Sequence, residues 1–313
     1  MVFKKIRRRH IDWRNFLCST PARDYVFQKE EYVSQLDRAV EYIRKADSII
    51  VGAGAGASTA AGIQYGGKRF TDNFGEFIEK YGVHYMTDMY AAGFYPYPSE
   101  EAKWGYWSKH ALMNRFDPPA LPLYTKLYDI VKSKEYFVLT TNVDHQFYKA
   151  GFDEKRIFAT QGDYGKIQCQ KACHQKTYDA KDLFRKMDEA RKDCLIPSEL
   201  VPKCPVCGGN MAMNLRCDNY FVEDEAWHEA ADRYAGFLEQ NKDKKVVLLE
   251  LGVGFNTPII IRFPFEKMVR ENPSYSLIRL NMDEAVVPES FGERAIGIGG
   301  DMAKVITDIR GLV

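Results

Sequence analysis

Apolar residues follow two rhythms along this chain. In EYVSQLDRAVEYIRK (31–45), Val33, Leu36, Val40 and Ile43 recur every three or four residues and share one helical face. LPLYTKLYDIVKS (121–133) and KDLFRKMDEARK (181–192) also read as helices. Elsewhere the pattern is continuous. SIIV (48–51), EYFVLTTN (135–142), RIFATQGD (156–163), KVVLLELGVG (245–254), SLIRLNMD (276–283) and AIGIGGD (295–301) are apolar runs without alternation, and they run out into glycine or polar residues. Strands of a parallel sheet covered on both faces read this way. The expected class is therefore α/β, with a Rossmann-like parallel sheet. Ligands of such sheets sit beyond the carboxyl ends of the strands. That singles out Gly54 to Ser58, Asn142 to Asp144, Gln161 to Asp163, Gly252 to Thr257, Asn281, Gly300 and Asp301.

The first strand runs straight into GAGAGASTAAGI (52–63). A chain gives up that much side chain where its backbone approaches something closely. Strand, tight turn and helix opening, with Ser58 near the helix start, form a phosphate-binding arrangement. Such a turn is a weak signal alone. Residues 70–116 are crowded with aromatics and show no strand alternation. They read as a helical insertion whose rings pack a core; a sharper alternative is an aromatic lid over a ligand.

Composition narrows the function. The chain has 313 residues, 45% of them apolar, with 44 Lys plus Arg against 43 Asp plus Glu, for a net charge of +1. That balance gives no bulk electrostatic case for nucleic acid or an anionic membrane. The basic run KKIRRRH (4–10) leads into Ile11, Asp12 and Trp13 rather than an apolar signal core, and reads as a solvated or interface-facing arm. No segment reaches the roughly 18 apolar residues of a membrane span. The expected location is cytoplasmic.

Six of the seven cysteines lie between 169 and 217. An odd count crowded into one region argues against a disulfide framework and for metal. Cys169 and Cys173 in CQKAC, with Cys204 and Cys207 in CPVCGG, make two pairs able to close a four-sulfur zinc site. Such a site has no open position, so its role is structural. Ordinary buried thiols are the alternative, and Cys194, Cys217 and His174 are spare candidates.

Taken in order, these motifs resemble the sirtuins. GAGASTAAGI (54–63), TTNVD (140–144), CPVCGG with LRCDNYFVED (215–224), GVGFNTP (252–258), LNMD (280–283) and GGD (299–301) match the family's motif order from about residue 30 to 310. The resemblance implies a Rossmann-like NAD-binding domain from 30–69, 120–165 and 218–313. It implies a small domain from the helical insertion 70–119 and a zinc module 166–217, after an extension 1–29. It implies cleavage of the nicotinamide–ribose bond of NAD. Gly54, Ala55, Gly56 and Ser58, followed by Gly62 and Ile63, would line the phosphates and ribose. Thr141, Asn142 and Asp144 would hold the nicotinamide side. Gly252, Val253, Gly254, Asn256 and Asn281, with Gly300 and Asp301, would contact the adenosine half.

Three departures matter. The family's GIPxFR becomes GIQYGGKRF, with Gln64 for proline; Arg69 and Phe70 could fill in from further along. Its glutamine becomes Thr141. Its catalytic histidine aligns with Gln161. Deacylation uses that histidine as a general base, a contribution of about 10² to 10⁴-fold, and an amide cannot store a proton. NAD cleavage needs positioning and electrostatics, which Asn142, Asp144 and Gln161 could supply. An acceptor already charged at neutral pH needs no base, so a protein carboxylate fits. His145 or the Glu223–Asp224 pair could restore a base, although each is more often structural. The pattern resembles the class M, macrodomain-linked sirtuins. These imply mono-ADP-ribosylation of a lipoylated glycine-cleavage H-like carrier protein, with a macrodomain hydrolase removing the mark. A weak deacylase and a non-catalytic NAD or ADP-ribose-binding module are the competing readings.

Overall fold

The computed structural model describes residues 24–255 and 258–313. The basic run 4–10, Cys18 and Asn256 lie outside them. A short strand β1 (Tyr25–Val26) precedes α1 (Tyr32–Lys45), β2 (Ser48–Ala53) and a six-residue α2 (Ala55–Ala60). The helical insertion follows as α3 (Gly67–Tyr81), α4 (Met89–Gly93) and α5 (Glu100–Ala111), closed by a π-helical turn at Leu112–Phe116. Next come α6 (Pro122–Val131), β3 (Glu135–Thr140), α7 (Gln146–Lys149), β4 (Ile157–Ala159), β5 (Gly162–Cys169), β6 (Thr177–Asp179) and α8 (Lys181–Ala190). The chain ends through β7 (Met211–Leu215), α9 (Glu225–Asn241), β8 (Val246–Leu251), α10 (Arg262–Glu271), β9 (Tyr275–Asn281), β10 (Val287–Pro288), β11 (Ala295–Gly299) and α11 (Met302–Leu312).

Six strands form one sheet in the order β11-β9-β8-β2-β3-β4, and every pairing in it is parallel. β2 at its centre is buried along its whole length, which is why its sequence shows no alternation. Successive side chains of a strand point to opposite faces. Ile49 and Val51 accordingly join the core under α1, α6 and α11, while Ile50 joins the one under α9 and α10. α1 buries Leu36, Val40 and Ile43 as its spacing requires, but Val33 is exposed. Tyr32, one residue earlier, packs against the core in its place. No helix among the described residues is long and apolar enough to cross a membrane.

A third core unites segments far apart in sequence. Phe70, Phe74, Trp104 and Tyr106 of the insertion pack with Phe184, Met187 and Met211 of the cysteine-bearing region. That region is built on a three-stranded antiparallel sheet, order β6-β5-β7. The apolar run 156–163, read as one strand, is two. β4 ends at Ala159, and the chain turns through Thr160 and Gln161 into β5 of the second sheet. Gly162 makes the turn possible, with φ of 97° and a Cα so close to Asn214 that a Cβ would lie 1.9 Å from its carbonyl oxygen.

Candidate active site

Two turns meet back to back at the carboxyl ends of β2 and β8. Gly56 donates its N–H to the Gly252 carbonyl at 3.0 Å. Gly252 has φ of 59°, and a Cβ on Gly56 would lie 2.7 Å from the Gly252 Cα. Only residues without side chains let the two backbones approach so closely.

A cleft of about 680 Å³ opens over this contact. Gly54, Ala55, Gly56, Gly252, Val253 and Gly254 line one part of it; Asn281, Gly300 and Asp301 line another. Asn281 serves the wall itself. Its amide donates to the Val253 carbonyl at 3.2 Å, and its Oδ1 accepts from the N–H groups of Asp283 and Glu284. Glu284 then accepts from Phe255 N at 2.9 Å. Asp301 caps α11, accepting from Ala303 N at 2.9 Å.

Ala55 also lines a second cavity of about 250 Å³, along with Thr141, Asn142 and Gln161. Asn142 is aimed by its amide, which donates to the Gly54 carbonyl at 2.9 Å. The opposite wall is apolar: Met89, Tyr90, Phe94, Trp107, Tyr164 and Leu215. At the rim Arg216 donates to Glu223 at 2.7 Å and to the Thr160 carbonyl at 3.3 Å, with its guanidinium 4.2 Å from the Phe221 ring centroid. Among the described residues the lining offers no base suited to neutral pH. Burial pushes the Tyr164 hydroxyl well up, and burial together with Asp218 pushes the Cys217 thiol up.

Below the floor lies Asp144, 2% exposed and lining neither cavity. It accepts from Ser58 Oγ and, at 3.0 Å, from Gln146 N. Burial raises its carboxyl above the usual range, and those two bonds work against the rise. Ser58 also meets Tyr124 OH at 3.2 Å. Gly62 and Ile63 line neither cavity.

In the small module the Sγ atoms of Cys169, Cys173, Cys204 and Cys207 all lie within 4.8 Å of one another. Cys169–Cys207 is 3.8 Å and Cys173–Cys204 is 3.6 Å. Tetrahedral thiolates at Zn–S distances of about 2.3 Å would be about 3.8 Å apart, so the four sulfurs fit a zinc ion. Backbone N–H groups prepare two of the ligands. Those of Cys173 and Lys171 lower the Cys169 thiol to about 6 against its burial, and those of Cys207 and Val206 lower Cys204. Cys194 is packed in the module core, and Cys217 stands at the rim of the smaller cavity.

No family model matches the chain. A protein ADP-ribosyltransferase of Staphylococcus aureus (strain Mu50 / ATCC 700699) is 39% identical over 279 residues, covering 89% of this chain and 88% of the relative. The chain belongs to the sirtuin-type protein ADP-ribosyltransferases. A probable bifunctional ADP-ribose hydrolase/ADP-ribosyltransferase of Fusarium oxysporum f. sp. cubense is 31% identical over 286 residues, which is 87% of this chain but 47% of that one. The chain thus spans about half of the fungal relative. Solved sirtuins share the fold. A Sir2 homologue in complex with NAD superposes with a TM-score of 0.56 at 14% identity, covering 93% of this chain and all of that one. Sir2 bound to acetylated peptide gives 0.55 at 16%, covering 87% and 95%.

Within this sirtuin-type transferase, several residues of the two cavities escaped sequence reasoning. Arg216 is brought to the smaller cavity by β7, whose Leu215 pairs with Gly162 beside Gln161. Asp283 and Glu284 line the larger cleft just past β9. The aromatic segment divides: Phe70, Phe74 and Phe77 are core, whereas Tyr90, Phe94 and Trp107 face the cavity. Phe70, 1% exposed, lines neither cavity. Arg69 instead binds Asn114 Oδ1 at 2.8 Å and the Gln64 carbonyl at 2.9 Å. The alternative bases stand elsewhere. His145 and Asp224 line a separate cavity, Asp224 as the cap of α9, and Glu223 is paired with Arg216.

Proposed function

We propose that this protein cleaves the nicotinamide–ribose bond of NAD and transfers mono-ADP-ribose to a carboxylate on an acceptor protein. One observation carries the reading. The cavity beside the glycine turns presents Gln161, Asn142 and the cationic Arg216, and among the described residues no group on its walls can serve as a base at neutral pH. A hydroxyl or amide nucleophile must lose a proton to react, whereas a carboxylate arrives without one. Arg216 supplies the complementary charge for it.

The larger cleft suits the adenosine diphosphate part of NAD. Gly54, Ala55 and Gly56 would admit the phosphates. Gly252, Val253, Gly254 and Asn281, with Gly300 and Asp301, would surround the adenosine, and Asp283 or Glu284 would accept from its ribose hydroxyls, as carboxylates past a Rossmann strand do. Thr141, Asn142 and Gln161 would hold the nicotinamide ribose as the bond opens. Asp144 would act from beneath, as a buried negative charge favouring the cationic ribose. Ser58 holds that carboxylate. Zinc on Cys169, Cys173, Cys204 and Cys207 would be structural, tying β5 to the loop before β7.

The likeness to class M sirtuins points to a lipoylated glycine-cleavage H-like carrier as acceptor. The fungal relative's name, which joins an ADP-ribose hydrolase to the transferase, supports a macrodomain hydrolase as functional counterpart. Free thiols fit a cytoplasmic location. The test is mass spectrometry of the lipoylated carrier after incubation with NAD, with and without hydroxylamine. A mass gain of one ADP-ribose that hydroxylamine removes is the expected result. No nicotinamide release would favour a binding module instead, and release of an acyl group from acyl-lysine would favour a deacylase.

A further inference from the structure

Behind the strand ends that carry Asn142 and Gln161, three segments converge on one carboxylate. Asp163 lies two residues beyond Gln161. Its Oδ2 is 2.7 Å from His145 Nδ1, and its Oδ1 accepts from Arg115 Nε at 2.9 Å and from Gly165 N at 2.6 Å. Burial works against its charge, but the His145 bond and the Arg115 guanidinium outweigh it and hold the carboxyl below the usual range.

His145 pays for its place in backbone strain. Its φ is 66°, in the left-handed region, which is strained for a residue with a Cβ. Such strain persists where surrounding contacts over-determine it. Here the ring stacks on Tyr148 with centroids 4.1 Å apart and a 12° tilt, while Nδ1 is fixed by Asp163. The result is a rigid path for residues 142–145, whose Val143 carbonyl accepts from Tyr164 N at 3.0 Å.

Arg115 comes from the π-helical turn Leu112–Phe116. A π turn widens the helix and re-aims the side chains that follow, and it is common near functional sites. Its neighbour Asn114, fully buried, accepts from Arg69 Nη1. Consecutive residues of one turn thus reach Arg69 in the first turn of α3 and Asp163 at the start of β5.

Asn142 and Gln161 face the same cavity from different elements, and no hydrogen bond between them is formed. Backbone bonds such as Thr160 N to the Thr140 carbonyl, 2.9 Å, join the two segments, and the side chains behind add a second tie. We propose that Arg115, Asp163 and His145 are positioning residues that fix the separation of Asn142 and Gln161. This rests on the NAD-cleaving reading above. None of the three lines the cleft or the cavity assigned to NAD, so loosening them should slow the reaction while leaving NAD binding alone.

The test compares wild type with His145→Gly, His145→Asn and Arg115→Gln, measuring nicotinamide release and, by calorimetry, NAD affinity. Glycine adopts the left-handed backbone without strain, so His145→Gly keeps the chain path and removes only the clamp. The expected result is a fall in kcat of at least about tenfold with NAD affinity within about twofold of wild type, and Arg115→Gln should behave alike. Asparagine tolerates the same φ and can reach Asp163, so His145→Asn should recover at least half of the loss on a logarithmic scale. Wild-type kcat in folded His145→Gly, or NAD affinity falling in step with kcat, overturns the clamp. Wild-type protein that releases no nicotinamide refutes the NAD-cleaving reading itself, and the clamp falls with it.

Discussion

Gly56→Ala tests whether two glycine turns set the shape of the dinucleotide cleft. The added Cβ would lie 2.7 Å from Gly252 Cα, 2.9 Å from its oxygen and 3.1 Å from its carbonyl carbon. All three atoms are backbone, so no side chain can swing aside. Restoring ordinary contact at about 3.4 Å or more requires the two turns to part by about 0.7 Å. The Gly56 N to Gly252 O bond, now 3.0 Å, would stretch to about 3.7 Å and cease to be one. Overpacking of this kind costs about 1–3 kcal/mol, and the lost bond adds about 0.5–1.5 kcal/mol. Because both turns line the cleft, part of that cost falls on NAD binding. Each tenfold in affinity needs about 1.4 kcal/mol, so we expect KM for NAD to rise about tenfold or more and the melting temperature to fall by several degrees. Nicotinamide release against NAD concentration, with a thermal melt of the same sample, measures both. Unchanged KM and melting temperature would show that the turns have slack, and the account of the cleft would be wrong.

Arg216→Ala should lower transfer to the acceptor at least about tenfold while nicotinamide release to water, without acceptor, stays within about threefold, because its charge is assigned to the acceptor; equal loss in both assays would contradict that. Arg279→Met should destabilise by about 3–5 kcal/mol, read by denaturant titration, since Arg279 makes a bidentate pair with Glu250 at 2.7 and 2.9 Å and reaches Glu266 at 2.9 Å, all fully buried. Cys207→Ser should reduce bound zinc per chain, measured by atomic absorption, and make a chelator lower the melting temperature more than it does in wild type. Asp163→Asn carries a pH signature. The carboxyl is held down in the folded protein, so its stabilisation is full above the unfolded carboxylate range and is lost as pH falls through the folded value. The stability gap between wild type and variant should therefore be widest near neutral pH and close in acid.

The sheet was legible in the sequence because burial on both faces removes alternation: β3, β8 and β11 lie within apolar runs, and β2 and β9 overlap theirs. The break at Thr160–Gln161 was not. Both halves of 156–163 are strand-like, and the switch depends on Gly162 meeting Asn214, some fifty residues away. The aromatic segment hid its division for a related reason. α5 is buried over Trp104, Gly105, Tyr106, Trp107 and Ser108 in succession, so no helical stripe separates core rings from those facing the cavity. Motif order brought out Asn142, Gln161 and the four cysteines. It could not show that Asp144 lies beneath the floor, because adjacent residues of one loop can face the cavity and the core.

That vertical arrangement divides the chemistry. Under the proposed function, breaking the glycosidic bond would build positive charge on the ribose, and a buried carboxylate beneath the site would favour it without touching the acceptor. Burial works against the Asp144 charge, and the bonds from Ser58 and the Gln146 N–H favour the charged form and keep it in place. Completing the transfer needs an incoming nucleophile, and the apolar wall leaves Arg216 as the sole fixed positive charge among the described lining residues. A histidine at position 161 would add a base and widen the range of nucleophiles to neutral hydroxyls. Under the proposed function, glutamine would offer hydrogen bonds to the ribose and no proton store, so selection of the acceptor would pass to charge. On that reading, the residue at position 161 would narrow the reaction to groups that are anionic before they arrive.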